Sequence, residues 1–286
     1  MAVKVITDST SYIDPQLRKE LDIKVVSLYV SFPGNSMKET EIDNAVFYSL
    51  MEKEGIPVSS QPSGGELYEA METAVSRGDD VFGVFLSADM SGTYASACQV
   101  KTMVLEKYPQ AQIEIMDSRS NSMQLGFAAI VAARAALAGQ TLAQVKRAAK
   151  ENIARSRFLF IPDNLVYLQK GGRIGGAQAL IGNLLRIIPV LTVENGVTTV
   201  LKAVRTKGRA VRAMLDKMRE DHANYGIKEI IVHHINCWEQ AQELAGKIQA
   251  KLQQLEVKIR DIGPVIGLHV GPGAIGIVYY TDRALR

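Results

Sequence analysis

Cysteine is scarce in this chain. The two present, Cys98 and Cys237, form neither a metal-ligand spacing nor a disulfide framework, which points to a reducing, cytoplasmic setting. Histidine is scarce too, and the adjacent pair His233-His234 has no further ligands at metal spacing, so no metal site is assigned. Long apolar runs are missing. The most apolar helical stretch, 125–138, carries Arg134 and falls short of the roughly 20 residues a bilayer span requires, so stable membrane insertion is not expected. The opening Met1-Ala2-Val3-Lys4-Val5-Ile6-Thr7-Asp8 enters a strand at once, without the apolar core of a leader. Neither sign of charge dominates. Charged residues make up 22% of the chain with a net charge of +3, which argues against disorder and against a dedicated nucleic-acid binder. Internal repeats, low-complexity tracts and flexible linkers are not evident.

Apolar residues, in contrast, are plentiful. At 286 residues and 47% hydrophobic, the chain can bury a sizeable core and has length for two domains. Strand patterns at 3–7, 23–30, 81–86 and 113–116 alternate with helical patterns at 14–21, 43–52, 65–77, 92–107, 124–138 and 142–154. This alternation predicts a parallel sheet with helices on both faces. Beyond about residue 157 the pattern changes. Glu194-Asn195-Gly196 lies between β-rich runs at 187–193 and 197–204, a strong hairpin signal, and Pro189 suggests an edge strand or a bulge. Helices at 208–221 and 239–252 and strands at 229–233, 257–261 and 274–280 follow. The chain therefore divides into an N-terminal α/β domain, 1–157, and a C-terminal α+β domain, 158–286.

Hydroxyl groups gather where the strands of the first half end. The first strand runs into Thr7-Asp8-Ser9-Thr10, the third into Ser87 and Ser91-Gly92-Thr93, and the fourth into Asp117-Ser118, Ser120 and Ser122. In parallel strands these groups share one sheet edge, the edge beyond which open α/β sheets bind ligands. The segment Ser59-Ser60-Gln61-Pro62-Ser63 adds more hydroxyls. Any one of them is explained by capping or turn formation, but the convergence of separate segments points to a site. Ser91 opens a helix, where free N–H groups and the helix dipole favour an anion. The second half supplies glycine and cations: Lys170-Gly171-Gly172-Arg173-Ile174-Gly175-Gly176, then Arg205, then His269 before Gly271-Pro272-Gly273. The glycines allow close approach of backbone, but the spacing is not that of a P-loop.

Taken together, the motifs resemble those of the DegV family of bacterial fatty-acid-binding proteins. The resemblance runs nearly end to end, through Thr7-Asp8-Ser9, Ser59-Ser60-Gln61-Pro62-Ser63, Ser91-Gly92-Thr93-Tyr94, Asp117-Ser118, Lys170-Gly171-Gly172-Arg173-Ile174, Arg205-Thr206 and His269-Val270-Gly271-Pro272-Gly273-Ala274. It implies a two-domain α/β fold with a long-chain fatty acid buried in a tunnel between the domains and no other cofactor. It further implies a non-catalytic role: the lipid-binding subunit of a fatty acid kinase, presenting the carboxylate to a separate ATP-using subunit that makes acyl-phosphate for phospholipid synthesis. By this resemblance Ser59 and Ser91 hold the carboxylate, and Ser59 keeps the hydroxyl of the family's threonine but lacks its methyl. Arg173, Arg205 and His269 match positions at the head group and the kinase-docking surface, while Ser60, Thr93, Ser118 and Gln124 line the pocket. Gln124 departs from the family's Ser-x-Gly-x-Gly pattern, where a small residue is usual, and so alters the local pocket shape. A buried tail is energetically reasonable: at about 0.8 kcal/mol per methylene, a long chain supplies on the order of 10 kcal/mol before ordering costs. Its carboxylate then requires hydrogen bonds.

Two other readings compete with lipid binding. A serine hydrolase would use Ser91 as nucleophile and His269 as base, although the chain lacks a Gly-x-Ser-x-Gly elbow. A phosphosugar or nucleotide binder would use the glycine loops.

Overall fold

Alternation of strand and helix through the first half of the chain builds a parallel sheet, and the polar loops collect beyond its carboxyl edge. The computed structural model describes residues 2–181 and 187–285. In chain order the elements are β1 (Val3–Asp8), α1 (Pro15–Glu20), β2 (Ile23–Val26), β3 (Tyr29–Phe32), β4 (Asn35–Lys38), α2 (Asn44–Glu54), β5 (Val58–Ser60), α3 (Gly64–Val75), β6 (Asp80–Phe85), α4 (Thr93–Lys107), β7 (Ile113–Asp117), α5 (Ser122–Leu137) and α6 (Leu142–Ala154). They continue with β8 (Ser156–Ile161), α7 (Val166–Lys170), β9 (Ile188–Glu194), β10 (Val197–Val204), α8 (Lys207–Tyr225), β11 (Ile227–His234), α9 (Trp238–Gln249), β12 (Val257–Asp261), α10 (Pro264–Val270) and β13 (Ile275–Thr281). Two compact units result: Met1–Glu41 with Ser59–Ile153, and Ile42–Val58 with Ala154–Arg286.

The first unit carries a four-stranded sheet in the order β2-β1-β6-β7, parallel throughout. Its inner strands are near-continuous apolar runs (Val5 and Ile6, then Val81, Phe82, Val84 and Phe85), as expected of parallel strands covered on both faces. Leu67 and Met71 of α3 and Ala97, Val100 and Val104 of α4 pack with Ile6, Val26, Val81 and Phe85. Helix α5 lies against β1 and the short turn Ser9–Ser11. Its alanines combine high helix propensity with a slim profile. At Gly126 even a methyl group would collide with the carbonyl oxygen of Ser11, so glycine sets how closely α5 approaches that turn.

The strand expected over 23–30 is divided. After Val26 the ladder stops because side chains take the backbone donors: the Glu66 carboxylate accepts from Ser27 N–H at 2.9 Å and Ser9 Oγ from Leu28 N–H at 3.0 Å. Tyr29–Phe32 then pairs antiparallel with β4 in a separate sheet ordered β4-β3-β5.

The second unit is α+β, with a six-stranded mixed sheet ordered β10-β9-β8-β13-β11-β12. Antiparallel pairs join β8, β13 and β11, and β12 lies parallel to β11. Asn195 and Gly196 both adopt positive φ, and the hairpin predicted there is present. Pro189 is not in an edge strand; β9 is internal, and the irregularity falls in β10 between Val200 and Lys202. The proline is tolerated because, among the described residues, the pairing of β8 with β9 covers Leu191 and Thr192 and stops short of it. The boundary expected after residue 157 falls inside β8, whose Ser156 and Arg157 pair with Tyr280 and Tyr279. Helix α2 also belongs to this unit: it packs on α10, and Tyr48 Oη donates to the carbonyl of Ile262 at 3.5 Å.

One buried carboxylate ties α8 to this sheet. Asp221 is fully buried and accepts from Arg157 Nε at 2.7 Å and Tyr279 Oη at 2.8 Å, with Lys217 Nζ at 3.1 Å. Removing it strands a mostly buried guanidinium and a buried phenol. Asp221→Ala is expected to lower stability by about 3 kcal/mol or more, read as a shift of the urea midpoint at unchanged slope. A loss below about 1 kcal/mol would mean that the cluster contributes little.

Candidate functional site

At the carboxyl edge of the first unit, Asp8 is the organising residue. It is fully buried at the end of β1. One oxygen accepts from Thr10 N–H at 3.0 Å and Thr10 Oγ1 at 2.5 Å, and the other accepts from Leu86 N–H at 2.8 Å. This links the end of β1 to the residue after β6. Burial raises the Asp8 pKa from the usual 3.8 to about 6, despite the opposing pull of these hydrogen bonds.

The loop leaving β6 is tied to its neighbour. Ser87 N–H donates to the Ser120 carbonyl at 2.7 Å and Ser118 N–H to the Phe85 carbonyl at 3.0 Å. Ser91, half-buried, shares a 2.9 Å hydrogen bond between its hydroxyl and that of buried Thr93, and its Oγ also accepts from Thr93 N–H at 3.3 Å. Gln61 leans over the same helix start: its amide donates to Ser96 Oγ at 2.6 Å, and its side chain fills the space a Gly92 side chain would need. The segment Ser59–Ser63 is thereby brought to Ser91. Within it Ser59 is half-buried and Ser60 exposed. Ser118 and Gln124 are buried; the Ser118 hydroxyl donates to the Ser120 carbonyl at 3.1 Å, and Gln124 Oε1 accepts from Ser120 Oγ at 2.5 Å. The long side chain at 124 is thus absorbed into the β7–α5 loop.

Sequence reasoning missed Glu39. It is buried, and its carboxylate accepts from Ser9 Oγ at 2.5 Å and Tyr12 Oη at 2.9 Å. An acid in a polar turn gives no sequence signal of burial; only the fold folds that turn onto Ser9.

In the second unit, Arg173 and His269 come together over a glycine turn. His269, on α10, packs on Gly171 at the end of α7 so closely that any side chain there would strike Nδ1. Arg173 Nη1 donates to the Gly171 carbonyl at 2.6 Å, and the Arg173 carbonyl accepts from Thr198 Oγ1 at 2.8 Å. Burial, and then the charge of Arg173, lowers the His269 pKa from 6.5 to about 4, so the imidazole is neutral at pH 7. Arg205 is exposed just past β10, before Thr206 caps α8. Two clefts lie apart from all these residues: one of about 560 Å³ lined by Val211, Arg212, Leu215 and Lys247, and one of about 170 Å³ lined by Lys4, Ile6, Asp22 and Ala74.

The two perturbed groups act on stability with opposite sign. Asp8 binds its proton more tightly in the folded state, so its contribution falls as pH rises from about 4 to about 6, by roughly 3 kcal/mol over that window. His269 binds its proton less tightly when folded, so its contribution is lost as pH falls from 6.5 towards about 4. NMR titration is expected to find the Asp8 carboxyl carbon titrating near pH 6 and the His269 ring still neutral at pH 5. An Asp8 midpoint below 4, or a His269 midpoint above 6, contradicts this account.

The family model described as "Uncharacterised protein, DegV family" matches residues 2–282. A DegV domain-containing protein of Clostridium acetobutylicum is 58% identical over 286 residues, covering 100% of both chains. Among solved structures, DegV of Bacillus subtilis, described as a fatty acid binding protein, superposes with a TM-score of 0.88 at 32% identity, covering 98% of this chain and 99% of that one. A DegV family protein of Thermus thermophilus, described by its fatty acid binding, gives a TM-score of 0.85 at 28% identity, covering 98% of this chain and 100% of the other.

Proposed function

Because the chain belongs to the DegV family, we propose that it binds a long-chain fatty acid and presents the carboxylate to a separate ATP-dependent kinase subunit in the cytoplasm. The observation that carries this reading is the meeting of Ser91, Thr93 and the Ser59–Ser63 segment at one sheet edge. Ser59 and Ser91 hold the carboxylate by hydroxyl donation, and Thr93 fixes the Ser91 hydroxyl. Ser60, Ser118 and Gln124 shape the surroundings. Fatty acid binding by related proteins of the same fold supports the ligand class. In the partner's reaction a carboxylate oxygen attacks the γ-phosphorus of ATP, the bond to ADP breaks, and acyl-phosphate forms. Arg173 and Arg205 supply positive charge for the head group and the docking surface, and His269 supplies a neutral hydrogen-bonding nitrogen.

A serine hydrolase is less well supported. The Ser91 hydroxyl is paired with another hydroxyl, Thr93, rather than with a base, and a nucleophilic serine requires a base in hydrogen-bond reach. A nucleotide site in the glycine turn is likewise disfavoured, because Gly171 is occupied by the His269 ring.

Protein purified from a bacterial host is expected to release a long-chain fatty acid on organic extraction, identified by mass spectrometry; an empty protein would count against the proposal. In a lipid-exchange assay, Ser91→Ala is expected to weaken retention more than Arg173→Ala, by roughly tenfold for a lost hydrogen bond to a charged group. The reverse ranking would reassign the carboxylate contacts. Arg205→Ala and His269→Ala should leave lipid binding largely intact yet slow acyl-phosphate formation with a partner kinase. Normal turnover in both removes these residues from the transfer step.

A further inference from the structure

Most helices of the first unit have their first amides provided for. Asp14 caps α1, Ser63 caps α3, Thr141 Oγ1 accepts from Gln144 N–H at 3.4 Å at the start of α6, and Ser91 Oγ serves the first amide of α4. Helix α5 is the exception. Its preceding residue, Asn121, makes no side-chain cap, and its amide group turns instead to Met90 Sδ at 3.1 Å. As in any α-helix, the intrahelical ladder begins four residues after the cap, at Leu125 N–H bonded to the Asn121 carbonyl at 3.3 Å, which leaves the amides of Ser122 and Met123 outside it.

This start is buried. Ser122 is 0% exposed and Met123 3%, so solvent does not satisfy their amides. The Ser122 hydroxyl and Asn121 Oδ1 are buried without a hydrogen-bond partner among the described residues. Ser122 is also held at φ +55°, an uncommon conformation for serine. Buried helix ends without partners are rare, because each unmet polar group costs on the order of 1–3 kcal/mol. The nearby carboxylates do not serve as caps: Asp117 accepts from Arg119 N–H at 2.7 Å and Ala88 N–H at 3.3 Å, Asp89 pairs with Arg119 at 2.9 Å, and Asp8 is turned to Thr10 and Leu86. No acidic residue lies in the first turn of α5.

We infer that the N-terminus of α5 is an oxyanion site, in which the amides of Ser122 and Met123 and the hydroxyl of Ser122 hold an oxygen of the ligand's acidic head group. It lies on the edge that carries Ser91, because Asn121 touches Met90, the residue before it. Amides at a helix start, reinforced by the dipole, are an established way of binding carboxylate or phosphate. The inference rests on the proposed function for the identity of the ligand, since a fatty acid brings a carboxylate and its phosphorylated product a phosphate.

Asn121→Asp is the discriminating variant. If the helix start has only a structural role, an aspartate there adds a cap and raises stability without affecting ligand. If it is an oxyanion site, the new carboxylate displaces the ligand's. Affinity for palmitate is then expected to fall by roughly tenfold or more, while hexadecanol, equally long but uncharged, binds as before. Ser122→Gly, which accepts the positive φ and removes the hydroxymethyl group while keeping the backbone amides, should weaken palmitate binding to a smaller extent. Acetate and inorganic phosphate, titrated into the full chain and followed by the NMR shifts of the Ser122 and Met123 amides, separate the two sources of the oxyanion. Unchanged palmitate affinity in Asn121→Asp overturns the inference whatever the gain in stability. Wild-type protein that binds no palmitate sinks the fatty acid reading instead. The two small anions then decide the site alone, with amide shifts upholding it and their absence overturning it.

Discussion

The Asp8 carboxyl group, shut away from water, is the constraint on which the first unit's site depends. Two of its neighbours in space, Thr10 and Leu86, belong to segments that leave the sheet from adjacent parallel strands. Holding both with one side chain fixes where the β1 and β6 loops start. Everything downstream inherits that placement: Ser9 and Tyr12 on Glu39, Ser87 against Ser120, and the Ser91–Thr93 pair. The cost is a carboxylate ionised in a poorly solvated place, which the raised pKa expresses directly. Hydrogen bonds from two backbone amides and a hydroxyl offset part of that cost, a trade that favours a defined loop geometry over maximum stability.

The second unit meets a similar problem with opposite charge. There Arg157 and Lys217 surround Asp221, so the buried acid is ion-paired rather than only hydrogen-bonded. The sheet around it is mostly antiparallel and is closed by β13, one of the last elements of the chain, pairing with β8 and β11. Such a core assembles from distant sequence, and its boundaries are correspondingly hard to read in advance. The pairing of Arg157 with Tyr279 is why a domain boundary drawn from a local change in pattern fell inside a strand. Helix α2 illustrates the same point. Its pattern is plainly helical, but its allegiance is decided by Tyr48 meeting Ile262, 214 residues away.

What was legible in the sequence followed from local chemistry. Alternating apolar runs and helical patterns gave the parallel sheet, Asn195-Gly196 gave the hairpin, and hydroxyls after several strands gave the polar edge, because each depends on residues close together in the chain. What was not legible depended on side chains acting at long range. No local signal says that Glu66 takes the Ser27 amide and ends β2, or that Glu39 is buried beneath Ser9 and Tyr12. Gln124 lies between these cases. Its departure from a small residue is visible in the sequence, but only the structure shows its carbonyl oxygen bonded to Ser120.

On the proposed function, the groups of the first unit that meet the carboxylate are hydroxyls and amides, while Arg119 at the same edge is paired with Asp89, and that choice has a chemical consequence. A bidentate arginine would bind a carboxylate more tightly, through two charge-assisted hydrogen bonds. It would also draw electron density from the oxygens that must attack phosphorus, stabilising the bound acid more than the transition state and so raising the barrier. Serine hydroxyls and backbone amides orient the group and leave it more nucleophilic. Positive charge has its greatest effect where it develops interactions with the transferred phosphoryl group, the role the proposal gives Arg173 and Arg205. On the same proposal His269, kept neutral by burial and by the charge of Arg173, is a hydrogen-bonding nitrogen and not a further cation.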